Sequence, residues 1–467
     1  MFFPGGWKPP ATAGKDACHY KAGAIISRRI AENPRFAADR FGASSADTKM
    51  KAVFLILLSC SLPLGAATFN VRDFGAAGDG KTLDTTAIQK TIDAAAAAGG
   101  GTVLIPAGKF LTGPFQLAGR INFHLATHAV ILISDDLASY PIVNGRYQDA
   151  ITANGAHDLE ISGAGMIDGQ GAAWWQAFRA NPTMTHRPYL IRLTGCTGLK
   201  ISGVTLKNSP MFHLVPQRCT DVVIRGITIQ VTTPEAAANT DGIDPSGWNF
   251  LIADCVIDTG DDNIAIKPAP QNGRHPGNNH FRVENCTFLH GHGMSIGGGT
   301  AGGIQNLTVS NCTFTGTDYG IRIKTLRGNG GLLEDCTYEN LAMTGIVKSP
   351  ISIVDYYPER TAPKDPATET APPVTDQTPL NRNLTIRNVT ATGCPNAGII
   401  RGLPEAPIDG LTFSNVNISA KTGMIIYHAR NVRFSDSQIT VEKGDTLKTY
   451  DAEATGLKPA AKSKISP

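Results

Sequence analysis

Charge is scarce in this chain. Asp, Glu, Lys and Arg make up only 17% of its 467 residues, the formal net charge is +3, and no long run of lysine or arginine occurs. Nucleic-acid binders need a basic face to neutralise phosphates, so that class is excluded. The nine cysteines include no Cys-x-x-Cys pair, which argues against a structural zinc site. The apolar run "AVFLILLSCSLPLGAA" after Met50-Lys51 is too short to span a bilayer. Its basic start and its small residues Gly65 and Ala67 read as a secretory signal peptide over residues 50–67, cleaved after Ala67. A signal peptide begins a chain. Met50 is therefore the expected start, and residues 1–49 are expected to be a non-native extension from an upstream start codon. "LLSC" also resembles a lipoprotein cleavage box, which leaves lipid anchoring at Cys60 open. The expected location is secreted or periplasmic, with no membrane span.

Glycine, in contrast, is plentiful, with 50 residues, and hydrophobic residues reach 42%. That profile suits a turn-rich β protein. The clearest feature is internal repetition. "LKISGVTLKNSP", "VVIRGITIQV", "FLIADCVIDTG", "FRVENCTFLHG", "LTVSNCTFTGT" and "LTIRNVTATGC" share one form. Each has a short alternating run, a polar or Gly break, then a second short run. Such a unit cannot bury its apolar face alone, so copies must stack. The expected fold is all-β, a right-handed parallel β-helix over residues 119–445. Residues 68–118 are expected to give an N-terminal cap and the first turns. Within them "LDTTAIQKTIDAAAAAGGG" reads as a capping helix, with Asp84 or Thr85 as N-cap and Gly99 to Gly101 as its stop. The segment from about Thr446 to Pro467 is expected to be a loose tail. Cys255, Cys286, Cys312 and Cys336 are expected to share one place in the unit and form an internal column. They would act there as small apolar residues, with disulfides or metal ligation as the alternatives. Seven cysteines follow the expected cleavage point, an odd number, so at least one thiol is unpaired within the chain.

"NTDGIDPSGWNFLIADCVIDTGDDNIAIK" places Asp241, Asp244, Asp254, Asp258, Asp261 and Asp262 in one stretch with one basic side chain, Lys267. A solvated acidic face is one explanation; stacking suggests a second. Asp241 and Asp262 lie about one coil apart, so they fall side by side on neighbouring rungs. Successive coils then bring His292, next Arg322 and Lys324, then Tyr356 and Tyr357 to the same groove. Asp254 and Asp258 read as turn and strand-end residues, and Asp244 is ambiguous. Crowded carboxyls push at least one pKa upward, which lets one site hold an acid and a base together. Glycosidic bond hydrolysis requires that pairing. Arg322 and Lys324 share one strand face and suit an anionic substrate. Trp174-Trp175 could stack on sugar or pack against the first turns.

"NTDGID", "GDDNIAIK", "GHGMSIG" and "RIK", in this order, together with "FNVRDFGAAGDGKTLDTTAIQKTID" and "GMIDGQGAAWW", resemble glycoside hydrolase family 28, the pectin-degrading polygalacturonase family. The resemblance covers about Phe69 to Tyr427. It implies a secreted enzyme that cleaves α-1,4-galacturonosidic bonds by inverting hydrolysis without metal or cofactor. Asp261 would be the general acid, Asp241 and Asp262 would hold and deprotonate water, and His292 would tune the acid's protonation. Arg322 and Lys324 would bind a galacturonate carboxylate and Tyr357 would position the sugar, with Tyr356 its neighbour and competitor for that role. Lys267 is a further candidate for substrate contact. Two departures stand out. Asn263 replaces a cysteine common in the family and is expected to point into the core or the ladder, and Pro245 is closer to bacterial and exo-acting members. The implied partner is an anionic pectic polysaccharide or oligogalacturonide, and the implied state is a monomer. The alternatives are a calcium-dependent β-helix pectate lyase and a non-catalytic carbohydrate-binding solenoid.

Overall fold

The computed structural model describes residues 67–458 except 185, 270–276, 364, 366 and 367. The expected signal peptide, Cys60 and the extension before Met50 lie outside the described residues. No helix among the described residues is long and apolar enough to cross a membrane.

Each repeat contributes one strand before its break and one after it. Cys219–Arg225, Gly247–Ala253, Asn278–Glu284 and Ile304–Ser310 pair in parallel, each with the next. Thr228–Gln230, Val256–Asp258, Thr287–Leu289 and Thr313–Thr315 do the same on an adjoining face. A third face carries Ile264–Ile266, Met294–Gly297, Tyr319–Lys324 and Ser349–Val354. The result is a parallel β-helix with its apolar side chains inside.

The breaks are the corners of the coils. Asp254, Asn285, Asn311, Asn340, Asn388 and Asn415 all take φ between 54° and 57°. Asn and Asp visit this left-handed region at lower cost than other side chains. Their amides also bond along the stack, Asn340 Nδ2 to Asn311 Oδ1 and Asn388 Nδ2 to Asn340 Oδ1, each at 3.0 Å. A second corner repeats the device with Asp221, Asn249, His280, Asn306, Asp335 and Asn383.

Interior columns fill the tube. Phe250 stacks on Phe281 with centroids 4.7 Å apart. Cys255, Cys286 and Cys312 fall on neighbouring rungs, since Ala253, Glu284 and Ser310 are register partners. Cys336 does not join them. Its register partners are Leu307 and Leu384, so it continues the column of Phe250 and Phe281. The break of its coil is Asn340, and Leu341 holds the position expected for the cysteine. The seven described cysteines are buried and unpaired.

The helix Thr85–Ala97 closes the first coils, with Ile88 and Ile92 fully buried. Asp84 is its N-cap residue, but its carboxylate accepts from the backbone N–H of Ala77 (2.7 Å) and Gly78 (3.0 Å) rather than from the helix. Trp174 and Trp175 are packing residues. Trp174 sits edge-on between Tyr140 and Tyr147, and Trp175 Nε1 donates to the Ser209 carbonyl at 3.0 Å. The expected loose tail is corrected in its first part. Leu447–Thr455 is a strand, in parallel register with Ile408–Ser435. Leu447, Ala452 and Ala454 are partly buried against the core, and pairing to the preceding coil overrides the low β-propensity of the Lys/Ala-rich composition.

Candidate active site

The third face forms the floor of a groove. Its rungs can be followed through backbone hydrogen bonds. Leu190 N–H donates to Phe212 O (2.9 Å), His213 N–H to Asp241 O (2.8 Å), Gly242 N–H to Asp262 O (2.9 Å) and His292 N–H to Asp261 O (2.9 Å). One column therefore runs Tyr189, Phe212, Asp241, Asp262, His292, Tyr319. A second runs Arg192, Val215, Asp244, Ala265, Ser295, Arg322. Lys324 pairs with Gly297, two positions beyond Arg322 and on the same face.

Asp261 and Asp262 lie in a bend just ahead of Ile264–Ile266, not in a strand. Both can therefore serve the groove although they are adjacent. Gly260 fits here for lack of space rather than for a positive φ. A Cβ would meet the carbonyl oxygens of Pro234 at 2.4 Å and Ala237 at 2.5 Å. Asn263 points inward. Its amide donates to the carbonyls of Ile257 and Leu289 (both 3.1 Å) and its oxygen accepts from Gly293 N–H (2.8 Å).

The three carboxyls have different partners. Asp261 is the most exposed, and its Oδ1 lies 2.9 Å from His292 Nδ1. Asp262 is 1% exposed. Its Oδ1 accepts from Ser295 Oγ (2.7 Å) and Arg322 Nη1 (3.3 Å), and its Oδ2 from Lys324 Nζ (2.5 Å). Asp241 is buried and accepts from Lys267 Nζ at 2.9 Å, while Asp244 lies 3.3 Å from the same ammonium.

These surroundings separate the carboxyls electrostatically. Burial, then the neighbouring Asp244, pushes Asp241 well above the usual carboxylate range despite Lys267. Burial raises Asp244 to about 6. Burial also acts on Asp261, but the hydrogen bond and charge of His292 outweigh it and hold that carboxyl low. Asp262 is likewise lowered against its burial, chiefly by Lys324. In the free protein Asp241 thus resists ionisation while Asp261 and Asp262 carry charge.

The cations and rings complete the site. The Arg322 guanidinium lies 4.4 Å from the Tyr319 ring centroid, and Lys324 Nζ lies 5.4 Å from that of Tyr357. The Tyr357 ring also lies 6.0 Å from the Arg322 guanidinium. Tyr356 is buried, and its hydroxyl donates to Glu369. Lys267 is one-third exposed, so it can touch a ligand while holding Asp241 and Asp244. Asp261, Asp262 and His292 place ligand atoms within 4.8 Å of one another. A cation there would meet the positive charges of Arg322 and Lys324, already seated on Asp262.

Four contributors escape sequence reasoning. Asp318 holds His292 Nε2 at 3.2 Å and Lys348 Nζ at 2.6 Å. Ser295 binds Asp262, and Asn239 reaches Asp261 Oδ2 at 3.4 Å. Buried Arg187 in turn supports Asn239, donating from Nη2 to its Oδ1 at 2.9 Å. Counting one coil back from Arg322 finds Ser295. Nothing near Arg187 in the sequence marks it.

Acid–base cleavage of an anionic glycan is the chemistry for which this groove is arranged, and it puts the protein among the β-helical glycoside hydrolases. Comparison with known proteins gives the family. The model for glycosyl hydrolases family 28 matches residues 97–440, and one for rhamnogalacturonase A/epimerase, pectate lyase-like, matches residues 68–123. The chain belongs to glycosyl hydrolases family 28. It is 31% identical to a probable polygalacturonase of Vitis vinifera over 84% of this chain and 83% of the other. Among solved structures, the family 28 exopolygalacturonase of Yersinia enterocolitica matches with a TM-score of 0.70 at 23% identity, over 84% of this chain and 78% of that one. The polygalacturonase of Erwinia carotovora matches with a TM-score of 0.62 at 25% identity, over 84% and 98%. The fold is the expected right-handed parallel β-helix.

Proposed function

We propose that the protein is a polygalacturonase that hydrolyses α-1,4-galacturonosidic bonds of pectin with inversion, through Asp261 as acid and Asp241 with Asp262 as the groups that activate water. The observation that carries this reading is the stacking of Asp241, Asp261 and Asp262 on neighbouring rungs beside Arg322 and Lys324. An acid and a base must coexist there, and the cations suit one carboxylate per sugar. Neither the lyase nor the binding-solenoid alternative is favoured by the family match.

In the free protein Asp261 is held low, partly by Lys324. A galacturonate carboxylate seated on Arg322 and Lys324 offsets that attraction and expels water, and both effects raise the Asp261 pKa. The substrate thus helps to protonate its own acid, with His292 2.9 Å away as the proton's neighbour. Tyr357, above the two cations, positions the sugar. Lys267 holds Asp241 and reaches substrate. The groove is complete within one chain, so a monomer suffices. A polymer substrate that cannot enter a cell fits the export read from residues 50–67.

The test is product analysis on polygalacturonate with and without EDTA. Reducing ends should appear in both arms, with inverted anomeric configuration in early NMR spectra. An unsaturated, ultraviolet-absorbing product that depends on calcium would overturn the reading.

A further inference from the structure

Resting on the polygalacturonase reading, we propose that a second carboxylate-recognising subsite lies on the Tyr189 side of the catalytic carboxyls, built by Arg146 and Arg192. Three observations meet there. The first is register. Arg192 stands in the same column as Arg322, five rungs away, with Val215, Asp244, Ala265 and Ser295 between them. At about 4.8 Å per rung the two guanidinium positions are about 24 Å apart, and Arg192 is about 14 Å from the rung of Asp262. The groove floor is therefore cationic at both ends and acidic between.

The second is space. A cavity of about 220 Å³ is lined by Arg146, Tyr189, Arg192, Phe212 and Lys267, with Asp244 at its catalytic end. An adjoining one of about 530 Å³ shares Arg146 and Arg192 and adds His186 and Asp149. The cleft thus continues from the catalytic rungs past Arg192. Tyr189 and Phe212 are stacked at 4.9 Å with planes 10° apart, so they form a flat apolar step on the two rungs before Asp241. A sugar ring can lie against such a step.

The third is charge. Arg192 gives one Nη to the buried Asp149 at 2.8 Å. Arg146 is carried on a hairpin, Ile142–Val143 with Arg146–Tyr147, turned by Asn144-Gly145 in positive φ. Its Nη2 lies 2.8 Å from His186 Nδ1. Burial and the Arg146 charge lower the His186 pKa to about 4, so the imidazole is neutral and offers no counter-charge. Two arginines facing one buried carboxylate leave a positive excess beside an apolar step. That combination fits an anionic sugar bound about three rungs from the catalytic carboxyls.

The test uses the full chain and oligogalacturonates from digalacturonate to hexagalacturonate. Arg146→Gln should lower kcat/KM on hexagalacturonate about tenfold more than on the shortest oligomer hydrolysed, and Arg146→Lys should restore part of the difference. Arg192→Gln together with Asp149→Asn removes the second cation without stranding its partner, and should give the same length-dependent loss at an unchanged melting temperature. A loss equal at every length, or no loss at any length, would overturn the subsite. A native chain that releases no reducing ends from any galacturonan would instead overturn the hydrolase reading. The subsite is then read from calorimetric binding. Tighter binding of hexa- than of digalacturonate that vanishes in Arg146→Gln supports it, and equal affinities reject it.

Discussion

Lys267 Nζ lies 2.9 Å from Asp241 Oδ2, and this contact pulls down a carboxyl that burial and Asp244 still hold well above the usual range. Lys267 comes from the end of the rung after that of Asp241, so the stack itself delivers the counter-charge. Removing the lysine leaves Asp241 and Asp244 to repel each other in a buried place. Lys267→Met should raise the Asp241 pKa further, so the rising limb of the pH–rate profile moves to higher pH. At pH 6 kcat should fall by about 10²-fold, the size of a lost general-base contribution. Lys267→Arg should keep most of the activity. Profiles of kcat against pH for the three proteins decide the matter, and an unmoved limb in Lys267→Met would refute it.

Asp241→Asn, Asp261→Asn and Asp262→Asn should each cost on the order of 10²–10⁴ in rate, but their effects on stability should differ in sign. Asp262 is ionised and seated on Arg322 and Lys324, so its amide leaves two buried cations unpaired. The loss should be about 3–5 kcal/mol. Asp241 has a raised pKa, so its ionisation opposes folding at neutral pH, and Asn there should stabilise. Denaturant melts at pH 7 should place the two variants on opposite sides of the native chain.

Asp355 offers a pH test away from the groove. It is 1% exposed, its two oxygens accept from Asn381 Nδ2 at 2.7 and 2.9 Å, and burial raises its pKa to about 8. The folded chain holds this proton up to about pH 8, while the unfolded chain releases it near pH 4. Between those limits the folded state binds more protons, so this group's contribution to stability falls as pH rises. Asp355→Asn should remove that fall. Its melting temperature should exceed the native value at pH 7.5 and match it at pH 4.

The corner residues can be tested without any assay of function. Asn311 holds φ at 55° and accepts from Asn340 at 3.0 Å. Asn311→Ala should cost about 2 kcal/mol, from the left-handed backbone and the lost hydrogen bond. Asn311→Gly, which keeps the backbone freedom, should cost about half as much. Urea unfolding that ranks alanine above glycine would contradict this.

The sequence made the coil stack legible because one polar break per repeat is a backbone necessity, written in Asn, Asp and Gly. It made the floor of the groove legible for the same reason: residues one repeat apart become neighbours, as Asp241 and Asp262 do. Local spelling misled at Cys336, which follows the second-corner residue Asp335 rather than the first-corner residue Asn340. Composition misled at Leu447–Thr455, where parallel pairing with Ile408–Ser435 makes a strand. Arg187 stayed hidden because its role depends on where a loop returns to the groove, which no periodicity encodes; Asp318 lies one coil on from His292, beside Tyr319, where counting rungs reaches it. Tyr356 and Tyr357 are alike in the sequence and differ only in their contacts, Tyr356 with Glu369 and Tyr357 with Lys324. The carbonyls of Pro234 and Ala237, which leave no room for a Cβ, explain Gly260 ahead of the pair.

The two columns of the groove take one residue from each coil, and coils come only in whole numbers. The distance from the acids to either cationic end is thus a graduated ruler, marked in steps of about 4.8 Å. Loops can drift in length without moving a single mark. Gaining or losing one complete repeat between Asp262 and Arg322, or between Arg192 and Asp241, would reset the register of the sugar chain by one increment. Changes in product size in such a scaffold should therefore arrive in jumps, by duplication or deletion of a coil, rather than by gradual adjustment.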